Sequence, residues 1–125
     1  MINVFLFVIV TASITAISIP DPEKYYVLAQ ETVSIAPGSS NPSATEFYVP
    51  PKITISEGTT VTWTNDDSTI HPVTEGGPQA AGATPAFDSS IIAPSATWEH
   101  IFDTAGEFDY YCSLHPFMTG KVIVN

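Results

Sequence analysis

The sequence predicts an all-β sandwich, preceded by an apolar N-terminal segment and a Pro- and Ser-rich tether. Three observations carry that expectation. Short runs of alternating apolar and polar residues recur along the chain after residue 44. Clusters of Pro, Gly, Asp and Asn separate them. No helical period longer than about two turns occurs in the same stretch. Short, evenly spaced alternating runs with turn residues between them are what two packed sheets require, one face of each strand inward and one outward.

Residues 2–19 carry no charge and are mostly apolar. Such a run suits a signal sequence or a membrane span of marginal length. No Lys or Arg precedes it, and Ala16-Ile17-Ser18 offers small residues for cleavage. Residues 1–19 are therefore expected to be a signal peptide or an N-terminal membrane anchor, and either would place the rest outside the cytoplasm. Residues 20–44 are expected to be a linker, because Pro20, Pro22, Pro37 and Pro42, with Gly38-Ser39-Ser40-Asn41, interrupt any period. A short strand or helix within Tyr25–Ile35 stays open. Residues 45–125 form the expected domain.

Within it, strands are expected near Glu46–Val49, Lys52–Ser56, Thr60–Asn65, His71–Thr74, Ala96–Phe102, Gly106–Tyr111 and Lys121–Val124. Ile53 and Ile55 share a face, as do Val61 and Trp63. Phe108, Tyr110 and Cys112 also share parity, so an inward Phe108 implies an inward Cys112. Residues 75–87 form a Gly-, Ala- and Pro-rich loop, long enough to be functional and expected to lie over the site.

Thirteen acids face three lysines and no arginine, for a formal charge of −10. Nucleic acids and anionic membrane surfaces are poor partners for such a chain. A redox partner with a basic docking face, or a saline habitat, fits better, although an acidic surface also serves solubility alone. The single cysteine, Cys112, excludes an intramolecular disulfide. An unpaired cysteine in an exported chain calls for another explanation.

Tyr111-Cys112-Ser113-Leu114-His115-Pro116-Phe117-Met118-Thr119-Gly120 suggests one. A thiol, an imidazole and a thioether follow one another at Cys-x2-His-x2-Met. Thiolate and imidazole bind both Cu(II) and Cu(I), and a weak axial thioether disfavours Cu(II), so the set suits a mononuclear copper electron-transfer site. The bland alternative is a small buried cysteine beside ordinary loop residues. Such a site needs a second imidazole. His71, about forty residues earlier at the end of a strand and turn, is the candidate. His100 sits within Thr97-Trp98-Glu99-His100-Ile101-Phe102, on the face of Trp98 and Phe102, where cross-strand packing is expected rather than ligation.

Phe102-Asp103-Thr104-Ala105-Gly106-Glu107-Phe108-Asp109-Tyr110-Tyr111-Cys112, then His115-Pro116-Phe117-Met118 and Gly120-Lys121-Val122-Ile123-Val124, resembles the C-terminal half of plastocyanin–amicyanin–pseudoazurin cupredoxins. The short ligand loop most resembles the amicyanin type. Gly58, Val61-Thr62-Trp63-Thr64-Asn65, His71 and Phe87-Asp88-Ser89 also fit, so the resemblance covers roughly residues 45–125. It implies a Greek-key sandwich holding one type 1 copper through His71, Cys112, His115 and Met118. His71 would be buried and His115 would lie at the surface as the electron port, beside Leu114, Pro116 and Phe117, joined by Pro72 and Pro78.

One position departs from the family pattern. Asn, Ser or Thr usually follows the first His ligand, and this chain has Pro72, which has no N–H to offer the cysteine sulfur. Leu114 stands where amicyanin-like loops often carry Pro, so the amide donor to Cys112 is expected to move from position 72 to position 114.

The function these features imply is an exported single-electron carrier. Two others compete with it. A mononuclear copper enzyme acting on a small molecule such as a nitrogen oxide would need an open copper position. A copper-binding protein for delivery or storage is the other, and slow release from a buried His2CysMet site counts against delivery.

Overall fold

The computed structural model describes residues 29–80 and 82–125. Among these, eight strands run in chain order: β1 (Gln30–Ile35), β2 (Tyr48–Val49), β3 (Lys52–Ile55), β4 (Thr59–Asn65), β5 (Thr74–Glu75), β6 (Thr97–Phe102), β7 (Gly106–Tyr111) and β8 (Thr119–Val124). They form two four-stranded sheets, ordered β2-β1-β4-β6 and β3-β8-β7-β5. Pairing is mixed: β1 runs parallel to β4 and β3 parallel to β8, whereas β6 and β7 pair antiparallel with β4 and β8. The chain is thus an all-β sandwich, as its alternation requires.

The expected parities hold. In β4, Thr59, Val61, Trp63 and Asn65 point inward and are buried, while the intervening threonines are half-buried. In the other sheet, Ile53 lies beside Val122 and Ile55 beside Val124, all four on the inner face. Trp63 is the hub between the layers. Its ring lies 5.4 Å from Tyr110 and from Trp98, and 6.3 Å from Phe87 and from Phe102. Aromatic pairs at such distances add to the apolar area they bury. His100 belongs to this cluster. It stacks on Trp98 at 5.6 Å and meets Phe102 edge-on at 4.8 Å.

The sandwich begins earlier than residue 45. Residues 30–35, expected within the linker, form a central strand: Val33 and Ile35 are fully buried, and every residue of β1 pairs with β4. The tether expectation fails there because the partner strand is about thirty residues away and pairs in parallel. Nothing local signals the pairing. Ala36 and Ser39 are buried as well, so the Pro- and Gly-containing turn after β1 packs onto the domain. The expected signal or anchor, residues 1–19, and the first part of the linker lie outside the described residues.

Both chain segments that matter for function leave the same end of the sandwich. β4 ends at Asn65 in one sheet and leads to His71; β7 ends at Tyr111 in the other and leads directly to Cys112. The expected strand His71–Thr74 is shorter, with only Thr74–Glu75 pairing as a strand, on β7.

Candidate metal centre

The loop from Cys112 to Met118 is built from two successive turns. The His115 amide donates to the Cys112 carbonyl at 3.1 Å, and the Met118 amide donates to the His115 carbonyl at 2.9 Å. A spacing of three residues is what one such turn spans. Cys-x2-His-x2-Met therefore brings its three side chains back at the same point of each turn. The Cys112 amide donates to the Met118 carbonyl at 3.1 Å and closes the loop. Cys112 and Met118 are fully buried and His115 is half-buried.

His71 reaches the same place by tertiary contacts. Its amide and carbonyl both bond to Ile92, at 3.2 and 3.0 Å. The preceding turn is held from inside by Asn65, which is fully buried. The Asn65 Nδ2 group donates to the carbonyls of Thr69 at 2.8 Å and Ile92 at 2.9 Å, and its Oδ1 accepts from the Asp67 amide at 3.0 Å. Asn takes this role readily because its short amide mimics a backbone turn.

As a result, Nδ1 of His71 lies 3.6 Å from Cys112 Sγ, and Nδ1 of His115 lies 3.5 Å from it. The ligand atoms of His71, Cys112 and His115 all fall within 4.8 Å of one another. Three of the four expected ligands are thus brought together with their donor atoms converging. Met118, the fourth, is fully buried at the end of the same loop.

The electrostatics favour metal binding at the imidazole and oppose it at the thiol, whose net shift is upward. Burial pushes the Cys112 thiol up from its ordinary value, while the amides of His115 and Leu114 pull it down. The Leu114 amide is thus among the groups that pull the thiol down, after that of His115. Burial holds the His115 imidazole below its ordinary value, with the neighbouring His71 adding to the effect and Asp67 opposing it. A neutral imidazole and a thiolate are the forms that bind metal.

The sequence alone does not mark Asp67 as part of the site. Its carboxylate is buried and lies 2.7 Å from His71 Nε2, on the side of the ring away from Cys112. The amides of Gly38 and Ser68 both donate to its other oxygen, at 2.9 Å each. Gly38 adopts a positive φ of 79°, a conformation that glycine reaches without strain. Burial raises the Asp67 carboxyl, and the bonds from His71, Gly38 and Ser68 outweigh it, leaving the group below the usual carboxylate range. The only sequence signal for this contact is the four-residue step from Asp67 to His71.

Beside His115 in the chain, Leu114 and Phe117 are exposed; Ile70, next to His71, and Ile91, next to its partner Ile92, are exposed as well. Phe117 packs partly on Phe47, at 5.4 Å between rings. Pro72, expected in this patch, is buried instead. The loop expected over the site runs elsewhere. Glu75 pairs with Tyr110 and the Gly76 amide bonds to the Asp109 carbonyl at 2.8 Å, so this chain segment descends along β7, away from Cys112.

The profile of a family described as copper binding proteins, plastocyanin/azurin family, matches residues 38–125. The chain belongs to that family. An amicyanin of Paracoccus versutus is 36% identical over 77 residues, spanning 62% of this chain and 57% of that protein. Amicyanin-alpha of Methylorubrum extorquens is 34% identical over 99 residues, covering 77% of this chain and 81% of the relative. Among solved structures, a purple cupredoxin from Nitrosopumilus maritimus superposes with a TM-score of 0.69 at 36% identity, over 78% of this chain and 99% of that one. As a member of a copper-binding family with a converging His-Cys-His group, the chain fits a type 1 copper site. The donor set tests this fit independently: two imidazole nitrogens and one buried thiol, the softness copper selects.

Proposed function

We propose that the protein is a type 1 copper electron carrier with His71, Cys112, His115 and Met118 as ligands. The observation that carries this reading is the convergence of both imidazole Nδ1 atoms on Cys112 Sγ, at 3.5 and 3.6 Å. Copper held there would supply a one-electron Cu(II)/Cu(I) couple. The chain's own residues do the rest. The paired turns of the 112–118 loop and the Asn65-centred turn hold the donors in place before metal arrives, which keeps rearrangement between oxidation states small. Burial of His71, Cys112 and Met118 excludes water. His115 is the one ligand with exposure, so electrons enter and leave along its ring edge. Four side-chain donors leave no open position for a substrate, which favours a carrier over a catalyst.

The partner is a second redox protein. The apolar rim of Ile70, Ile91, Leu114 and Phe117 suits brief docking around His115, and the acidic remainder of the surface suits a partner with a basic face. Residues 1–19 act as a signal or anchor that puts the domain outside the cytoplasm. Cys112→Ser tests the site. The copper-loaded protein is expected to show intense visible thiolate-to-copper absorption, and the variant to lose it while its metal-free fold survives. Retention of that absorption in the variant would refute the ligand assignment.

A further inference from the structure

We propose that Asp67 is a positioning residue: its carboxylate fixes the proton of His71 on Nε2 and so keeps the Nδ1 lone pair aimed at Cys112. The inference rests on the copper-site reading above, but its central claim concerns the metal-free protein. A neutral imidazole carries one proton on either nitrogen, and the partner of one nitrogen decides the state of the other. Here Nε2 faces a buried carboxylate oxygen at 2.7 Å, which can only accept. Nδ1 faces Sγ at 3.6 Å.

The carboxylate cannot swing away. Its Oδ1 receives two backbone amides, from Gly38 and Ser68, and this leaves Oδ2 alone for His71. The arrangement gives Asp67→Asn an unusual consequence. An asparagine amide would keep its oxygen toward the two backbone N–H groups and turn its NH2 toward Nε2. Donor would then face donor unless His71 moved its proton to Nδ1, the atom needed for the metal. The variant would thus disfavour the binding tautomer as well as removing a charge. Partners that hold a ligating histidine in this way are commonly worth 10–100-fold in metal affinity. The buried negative charge also favours Cu(II) over Cu(I), so its loss raises the potential, by about 59 mV for each tenfold change in the ratio of the two affinities.

A merely structural Asp67, tying the 36–39 turn to the 65–71 turn, would affect stability and leave the tautomer alone. The experiment is nitrogen-15 NMR of the histidine rings in metal-free native protein and in Asp67→Asn, with Cu(II) titration and voltammetry on both. Expected are an Nε2–H tautomer for His71 in the native protein, a shift toward Nδ1–H in the variant, Cu(II) affinity lower by about tenfold or more, and a higher potential. An Nδ1–H tautomer in the native protein overturns the proposal, and this arm needs no variant to fold. A variant that keeps both the native tautomer and the native potential overturns it too. Failure of the copper-site reading would show separately, as absence of Cu(II) binding by a native protein whose His71 is still Nε2–H.

Discussion

Gly120 follows the ligand loop and faces Tyr110 directly across the β7–β8 ladder. A methyl group built on it would overlap Cζ and Oη of Tyr110 and lie 2.7 Å from Cε2. The backbone at Gly120 is ordinary, so a Gly→Ala change here carries no conformational penalty. On its own it would gain about 0.4–1 kcal/mol by restricting the unfolded chain. The steric term has the opposite sign. Tyr110 is fully buried and wedged edge-on between Trp63 at 5.4 Å and Tyr48 at 4.8 Å, so its rigid ring has no free direction. Overpacking of this kind costs about 1–3 kcal/mol. Gly120→Ala is therefore expected to lose roughly 1–2 kcal/mol net, with about 4–8 °C off the melting midpoint per kcal/mol. Urea and thermal unfolding of the metal-free protein measure it. In a Tyr110→Leu background the same change should cost little. A Gly120→Ala variant as stable as the native protein, or an equal loss in both backgrounds, would refute the argument.

Asn65→Ala should strand the carbonyls of Thr69 and Ile92 and the Asp67 amide in a buried turn, a loss of at least about 1–3 kcal/mol, visible in chemical denaturation and accompanied by weaker Cu(II) binding as His71 loses its frame. His100 should make stability depend on pH. Burial lowers its pKa from the ordinary 6.5, against a smaller opposing pull from Asp103. The unfolded chain then binds a proton that the folded one does not, so stability is complete above about pH 6.5 and declines as pH falls toward the folded value. His115 shifts in the same direction, so the His100 share is read as the difference between native and His100→Phe denaturation curves across that range. Parallel curves would remove His100 from the account.

The parts of the fold that were legible in the sequence are those set by local repetition. Period two in Thr59–Asn65 and Gly106–Tyr111 gave two inner strands with their inward faces, and Cys-x2-His-x2-Met gave a loop whose spacing matches consecutive turns. What was not legible depends on partners distant in the chain. β1 is a strand because β4 lies beside it in parallel, and its own Gln-Glu-Thr-Val-Ser-Ile alternates only at Val33 and Ile35. The 75–87 loop leaves the site because Glu75 and Gly76 continue pairing down β7, which no count of glycines could reveal.

The candidate site divides along the same line. His115 and Met118 follow Cys112 through hydrogen bonds within seven residues of chain, so their positions survive as long as that loop closes. His71 has no such local tie to the cysteine. Its backbone is pinned by Ile92, its turn by Asn65 and its ring by Asp67, and Asp67 is in turn oriented by Gly38, a residue of the segment whose sequence suggests a tether. Sequence could nominate His71 only by setting His100 aside, whereas the fold specifies it through four separate contacts. The half of the site that looked weakest in the sequence is therefore the half that commits the most tertiary structure. Substitutions at Asn65, Asp67 or Gly38 should disturb the copper site as surely as changes to the ligands' own loop.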